Sequence, residues 1–117
     1  MSETAQVLGA VLKEDAARGL KDDSGKLPAE LLPYDALLEV VKVLQFGAKK
    51  YAPRNWEKGI PVSRVFGACM RHAWALFNGE DNDPETGLSH AAHLACESLF
   101  WLTFVIRKTP NTDDRPK

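Results

Sequence analysis

The sequence has almost no excess of charge of either sign. Over 117 residues, 15 lysines and arginines stand against 16 aspartates and glutamates, for a formal net charge of −1. Without a global basic field, the chain is not expected to bind a nucleic-acid polymer. Long apolar runs are also missing: the longest apolar cluster, 99–106, is too short to span a bilayer, and no apolar stretch of signal-peptide length opens the chain. We therefore expect a cytoplasmic protein with no membrane partner.

Cysteine and the common nucleotide-binding motifs are scarce as well. Cys69 and Cys96 both fall in apolar helical patterns, which favours reduced thiols in a core over a disulfide framework. Neither Gly47 nor Gly67 belongs to a GxxxxGK phosphate loop, and no serine lies in a nucleophile-elbow context. P-loop chemistry and serine-hydrolase chemistry are therefore not expected.

What remains is an ordinary globular composition, with 44% hydrophobic and 26% charged residues. We predict one domain over residues 1–108, in which residues 1–33 form an N-terminal arm and loop. A short helix is expected within residues 1–20. The polar residues 109–117 contain two prolines and are predicted to be a disordered tail.

Three stretches carry apolar residues at helical spacing. They run from Leu37 to Tyr51, from Ser63 (as N-cap) to Phe77, and from Leu88 or Ser89 to Ile106. No stretch alternates with a period of two, so the predicted fold class is all-α, a compact helical bundle. Phe100, Trp101 and Phe104 spread around the third helix, which is more apolar surface than one small bundle buries. A homo-oligomer, dimer or tetramer, is therefore expected.

The loop before the third helix concentrates acids. Glu80, Asp81 and Asp83 repel one another unless cations or basic side chains neutralise them. Carboxylate oxygens are the ligands that Mg²⁺ and Mn²⁺ prefer. We predict that these three acids bind Mg²⁺ or Mn²⁺, with Glu39 of the first helix as their partner across the bundle.

Two histidines follow the acids at helical spacing. His90 and His93, together with Glu80, are the predicted catalytic groups. The histidines would orient the attacking water, contact phosphate, or bind the metal if it is Mn²⁺. Glu97 lies one turn further along the same helix face and is a candidate for supporting them. His72 is interpreted as a structural, hydrogen-bonded helix residue.

Basic and aromatic residues elsewhere suit a polyphosphate. The predicted substrate-binding residues are Lys26, Lys49, Lys50, Asn55, Trp56, Arg64 and Arg71. The lysines and arginines would neutralise phosphate oxygens, and Asn55 and Trp56 would recognise a purine base. Two alternatives stay open: Lys49 and Lys50 suit a solvated helix C-terminus, and Trp56 suits a loop anchor packed on the core.

The order of these residues resembles a known family. The pieces "GK…LLP…FGAKKYAPRNWEKG…SR…RH…GEDNDPETGLSHAAH", within Gly25–Val105, are similar to the bacteriophage dATP/dGTP diphosphohydrolases. These are relatives of the MazG-like all-α nucleoside triphosphate pyrophosphohydrolases. The resemblance implies cleavage of a deoxypurine nucleoside triphosphate, preferably dGTP, to the monophosphate and pyrophosphate. It also implies Mg²⁺ or Mn²⁺ as cofactor, a helical homo-oligomer and, for a phage protein, the host cytoplasm.

Two other functions fit the same residues. A zinc hydrolase would use His90, His93 and a carboxylate. A non-enzymatic helical adaptor would instead use the charged helix faces as a protein interface, with no metal and no nucleotide.

Overall fold

The computed structural model describes residues 19–117, so the short helix expected in residues 1–20 lies almost wholly outside them. The chain divides into two compact units, Met1–Leu31 and Leu32–Lys117. In the first unit, the described residues 19–31 are irregular apart from a turn near Gly25 and a 3₁₀ helix at Ala29–Leu31. This agrees with the loop predicted there.

The second unit contains three α-helices. They are α1 (Tyr34–Lys50), α2 (Val62–Phe77) and α3 (His90–Arg107). No β-strand forms within residues 19–117, where the pairing of Asn82 with Ser89 is an isolated bridge. The all-α prediction is confirmed, and no helix of the described part is long and apolar enough to cross a membrane.

The helix starts follow from proline and serine. Pro33 and Pro61 directly precede α1 and α2, with extended backbone that suits a helix entry. At α3, the Ser89 side chain accepts a hydrogen bond from the Ala91 N–H at 3.1 Å and caps the helix, which begins where the sequence predicted, near Leu88 or Ser89. The prediction that Ser63 caps α2 is wrong, because Ser63 already lies inside that helix.

Helix α3 packs against both other helices. It runs antiparallel to α2, because Phe66 near the start of α2 meets Trp101 late in α3, whereas His72 meets His90 at its beginning. The hydrophobic core lies between these two helices. Its buried members are Val62, Val65 and Phe104, and Trp56, Ile60, Cys69, Phe100 and Trp101 pack around them.

Residues 51–61, which join α1 to α2, attach to the late part of α3. A 3₁₀ helix at Asn55–Lys58 turns the Trp56 ring onto Phe100, with ring centroids 4.4 Å apart and planes 22° from parallel. Arg107, at the end of α3, forms an ion pair with Glu57, with 2.9 Å between its Nη1 and Glu57 Oε1. Trp56 therefore has the role of core anchor, the alternative that its sequence context left open.

Residues 109–117 differ from the disordered tail expected of them. Thr112 is buried, and its carbonyl accepts a hydrogen bond from the Val62 N–H at 2.8 Å. The Asp114 carboxylate accepts from both the N–H and the hydroxyl of Ser63. A Cβ on Gly59 would lie 3.1 Å from the Thr112 methyl, so glycine is needed for this approach. The segment is ordered because it supplies the acceptors that the first N–H groups of α2 need.

Candidate active site

All three histidines of the chain meet where α2 and α3 face each other. His72 comes from the middle of α2, and His90 and His93 come from the first turn of α3. The Nδ1 atoms of His72 and His90 are 2.9 Å apart, a hydrogen-bond distance. The His93 ring stacks on His72, with centroids 4.7 Å apart and planes 11° from parallel. One side chain from α2 thus holds both histidines of α3.

An acid from the loop completes this cluster. Asp83 Oδ2 lies 3.9 Å from His72 Nδ1, and both side chains are only 17% exposed. His72, Asp83 and His90 each offer one donor atom, and the three atoms lie within 4.8 Å of one another. In the part of the chain that the structure describes, no other group of histidine, cysteine or acid donors gathers in this way.

The environment of His90 is the most unusual in the cluster. The residue is only 4% exposed, and its Nε2 has no hydrogen-bond partner among residues 19–117. The Oε2 of Glu80 lies 3.6 Å from this Nε2. A buried polar atom without a partner is costly, so this ring nitrogen marks the cluster as more than a structural contact.

The loop folds back so that its acid points inward. Asp83 Oδ1 accepts hydrogen bonds from the N–H groups of Glu85 (2.8 Å) and Thr86 (3.2 Å). The Gly87 N–H donates to the Asp83 carbonyl at 2.7 Å, with φ of +73° at Gly87, a conformation that favours glycine. One carboxylate oxygen therefore stabilises the turn while the other faces His72.

Burial and these hydrogen bonds shift the pKa values of the cluster. Loss of solvent lowers the pKa of His72 and of His93 below 6.5, and the neighbouring imidazoles act in the same direction on both. Burial opposes ionisation of Asp83, but the two backbone N–H groups and the histidines outweigh it and lower the pKa of its carboxyl. These directions favour neutral imidazoles at His72 and His93 and an ionised carboxylate at Asp83 at neutral pH.

A groove of about 230 Å³ opens beside the cluster, between α1 and the loop. Its lining residues are Lys42, Gln45, Phe46 and Lys49 of α1 and Thr86 and Leu88 of the loop. Thr86 connects the groove to the histidines, because its Oγ1 lies 2.7 Å from His93 Nε2. Just outside the groove, Lys50 forms a 2.8 Å ion pair with Glu85.

The structure brings together part of the predicted acidic set. Asp83 joins the histidines, and Glu80 approaches His90 from an exposed position. Asp81 is exposed and takes part through its backbone, since its carbonyl accepts the His90 N–H at 2.9 Å. Glu39 forms an ion pair with Lys42 on its own helix at 2.8 Å and is not in the donor group. The four predicted ligands therefore do not form one site.

The predicted substrate-binding residues are also spread out. Lys49 lines the groove, whereas Arg64 is exposed on α2 and the Arg71 guanidinium lies near Gly67 on the same helix. Trp56 stacks on Phe100, which is seven residues, or about two helical turns, beyond His93 on α3. Asn55 sits next to it in the 3₁₀ helix.

Two further predicted residues, Lys26 and Glu97, belong to different compact units. Lys26 belongs to the other compact unit, where its N–H donates to the Asp23 carbonyl. Glu97 is half-buried between α2 and α3, and burial raises the pKa of its carboxyl against the opposing charge of Arg71.

Sequence reasoning missed His72 and Thr86. The sequence interpretation of His72 is a structural, hydrogen-bonded helix residue beside Arg71, and the signal that points instead to the cluster is the histidine count. The chain has three histidines, and two of them follow an acidic loop. The third, His72, is therefore a candidate to lie near the other two. Thr86 had no signal, because threonine is common in turns.

The donor set fits a divalent metal ion. Two imidazoles and a carboxylate are ordinary metal ligands, and the partnerless nitrogen of His90 is what a ligating histidine offers to an outer acceptor. His93 is outside this group and its Nε2 is engaged by Thr86. The zinc alternative based on His90 and His93 as joint ligands is therefore not favoured.

Comparison with known proteins identifies the family of this chain. The family model described as dATP/dGTP diphosphohydrolase, N-terminal, matches residues 16–115. The chain belongs to this family. A curated relative, the dATP/dGTP diphosphohydrolase of Salmonella phage PMBT28, is 39% identical over 97 residues, which cover 83% of this chain and 33% of the relative. The chain thus spans about a third of the length of the curated relative it matches. No solved structure matches it significantly.

The range matched by the family model contains the whole histidine–acid cluster and the lysine-lined groove. It also contains residues 109–115, which hold the start of α2. Membership of the family therefore applies to the region in which the candidate site is built.

Proposed function

We propose that this chain hydrolyses a deoxypurine nucleoside triphosphate, preferably dGTP, to the monophosphate and pyrophosphate, with Mg²⁺ or Mn²⁺. The observation that carries the proposal is the position of the His72–Asp83–His90 cluster beside a groove lined by Lys42 and Lys49. Metal donors beside lysines are what a metal-bound polyphosphate requires. The name of the family and of the phage relative support the substrate class.

The chain's own residues divide the work as follows. Lys42 and Lys49 bind phosphate oxygens in the groove and stabilise the charge that collects on departing pyrophosphate. His93, neutral at pH 7 and with its Nε2–H donating to Thr86 Oγ1, accepts at Nδ1 the proton of the water that attacks the α-phosphorus. The bond from the α-phosphorus to the bridging oxygen then breaks.

His72, Asp83 and His90 would hold the divalent ion in this scheme. When bound, such an ion neutralises phosphate oxygens and acidifies a water molecule. A MazG-like bundle remains the expected fold type, and it is supported by the antiparallel packing of α2 on α3 and by the absence of strands in residues 19–117.

The test is pyrophosphate release from dGTP by the purified chain, with Mg²⁺, with Mn²⁺ and with EDTA. We expect turnover with a metal, none with EDTA, and dGMP as the other product. Parallel reactions with dATP, dCTP and dTTP measure the base preference. Release of inorganic phosphate and dGDP would contradict the proposed cleavage position, and no turnover with any deoxynucleotide would contradict the enzyme assignment.

We also propose that the functional form is a homo-oligomer, a dimer or a tetramer. Helix α2 exposes an apolar stripe at helical spacing, formed by Phe66, Met70, Trp74 and Phe77, of which Phe77 is 90% exposed. A stripe of this size is a typical subunit contact. Light scattering of the wild type and of Trp74→Glu tests it: we expect the variant to have the lower mass, and a monomeric wild type would contradict the proposal.

A further inference from the structure

We infer that the cluster is a transition-metal site in which His72 and His90 bind through Nδ1 and Asp83 binds through Oδ2. In the same inference, Glu80 is not a ligand but the outer acceptor that holds the His90 ring. The inference deepens the proposed function by naming the ion class and the ligands. Metal binding is measurable without turnover, so the two can fail separately.

The spacing of the two nitrogens indicates the coordination geometry. The Nδ1 atoms of His72 and His90 are 2.9 Å apart. With metal–nitrogen bonds of about 2.1 Å, ligands at a right angle lie about 3.0 Å apart and ligands at a tetrahedral angle about 3.4 Å apart. The spacing of the two nitrogens suits neighbouring positions of a six-coordinate ion, whereas Asp83 Oδ2, 3.9 Å from His72 Nδ1, would have to move closer to bind the same ion.

The donor types indicate which ions fit. Two imidazole nitrogens suit Mn²⁺, Fe²⁺, Co²⁺ or Ni²⁺ far better than Mg²⁺, which binds almost entirely through oxygen. A single protein carboxylate, Asp83, completes the group of three. The sequence favoured four acids as ligands. In the structure one of them, Asp83, lies with two histidines, His72 and His90.

The role of Glu80 as outer acceptor is inferred from the buried Nε2 of His90, which has no hydrogen-bond partner in the described residues. In the metal-free chain a single proton can lie between the two Nδ1 atoms. When an ion takes both lone pairs, each ring carries its proton on Nε2 instead. The Nε2 of His90 is buried, and Glu80 Oε2 at 3.6 Å is the nearest carboxylate. A ligating histidine commonly donates its other N–H to a carboxylate in this way.

The experiment uses the full chain, freed of metal with a chelator, and MnCl₂ or MgCl₂ without nucleotide. Calorimetry should show one Mn²⁺ bound per chain, at least about 100-fold more tightly than Mg²⁺. Equal affinity for the two ions would overturn the ion class.

Histidine nitrogen NMR then tests the ligand atoms, with diamagnetic Zn²⁺ as the probe. The chain has three histidines, so the spectrum is readily assigned. We expect the Nδ1 signals of His72 and His90 to move to metal-bound values while His93 keeps its metal-free values. Binding through Nε2 of His90, or through His93, would overturn the assignment.

Substitutions separate the ligands from their neighbours. Asp83→Asn keeps Oδ1 as the acceptor for the turn and replaces the oxygen that faces His72, so it should weaken Mn²⁺ binding more than 100-fold without unfolding the chain. His72→Gln should have a similar effect. Glu80→Gln should weaken binding by about 10- to 100-fold, the usual effect of losing an outer partner.

Two acids of the same loop serve as controls for metal affinity. Glu85→Gln removes the same charge as Glu80→Gln, but Glu85 faces Lys50, so Mn²⁺ affinity should change by less than about threefold. Asp81→Asn should do the same, and a loss as large as that of Asp83→Asn would restore the acidic site that the sequence favoured. Mn²⁺ binding without dGTP hydrolysis would refute the proposed function alone, and hydrolysis with Mg²⁺ but without preferential Mn²⁺ binding would refute this inference alone.

Discussion

The two loops that join the helices are similar in composition but differ in their structural role. Residues 51–61 and residues 78–89 both contain charged side chains, proline and glycine, and the sequence predicts substrate-binding residues in the first and metal-binding acids in the second. In the first, Trp56 turns onto Phe100 and Glu57 pairs with Arg107, so its polar and aromatic groups are used in packing. In the second, Asp83 and Glu80 turn towards two histidines, one of which keeps a buried nitrogen without a partner in the described chain.

The difference shows how a site can be told from an anchor. The side chains of an anchor find all their partners within the fold, and removing one costs stability. A site keeps a donor or acceptor for something outside the fold, and removing a group there costs activity first. The following substitutions test this contrast between the loops.

The largest effect is expected at Asp83. Asp83→Asn should lower the rate of pyrophosphate release from dGTP about a thousandfold, or about 4 kcal/mol, because the divalent ion loses a charged ligand. The melting temperature should stay within a few degrees, because the amide oxygen still accepts the two turn hydrogen bonds. Glu85→Gln is the matched control and should retain turnover. A large loss of stability with near-normal turnover would make Asp83 an anchor.

The next effect is expected at Trp56. Trp56→Ala should lower the free energy of unfolding by about 3 kcal/mol, since it removes the ring that packs on Phe100 and Phe104. Urea denaturation measures this. The KM for dGTP, measured well below the melting temperature, should stay the same. A raised KM with little loss of stability would return Trp56 to the base-stacking role that the sequence suggested.

A smaller effect is expected at the lysines. Lys49→Ala should raise the KM for dGTP about tenfold, or about 1.4 kcal/mol, through loss of a charged hydrogen bond to phosphate. Lys58→Ala, an exposed lysine of the other loop, is the control and should leave KM unchanged. Equal changes in the two variants would mean that general charge, and not the groove, attracts the substrate.

The smallest effect concerns pH and the metal-free chain. Burial lowers the pKa of His72 and His93 below 6.5, so between 6.5 and those lower values the unfolded chain binds protons that the folded chain does not. The free energy of unfolding should be highest above pH 6.5 and fall as pH falls through the folded pKa values. Urea midpoints measured from pH 7.5 to pH 5 in EDTA should show this fall, and it should be smaller in His93→Gln. A flat profile in the wild type would mean that the histidines are better solvated than their packing indicates.

Several features were predictable from local patterns alone. Apolar residues at helical spacing placed all three helices, and the start of α3 was predicted near Leu88 or Ser89. The concentration of acids before two histidines pointed to the loop that contributes Asp83 to the candidate site. These predictions held because helix periodicity, caps and loop composition are properties of neighbouring residues.

Other features depended on residues far apart in the chain. Ser63 had the sequence of an N-cap, but Asp114, 51 residues later, supplies an acceptor at the start of α2 instead. The polar composition of residues 109–117 gave no sign of this contact. In the same way, Glu39 pairs with Lys42 one turn away, which composition alone could not distinguish from a role across the bundle.

By itself, the sequence determined an all-α chain, the approximate bounds of its helices and the loop that carries its reactive groups. Only the tertiary structure decided that His72 meets His90, that Asp83 and not Asp81 or Glu39 joins them, and that Trp56 belongs to the core. The physical reason is that neighbours in the sequence do not determine which distant side chain a residue contacts. A turn hydrogen bond decides which way an acid points, and the packing of α2 on α3 decides what it meets there.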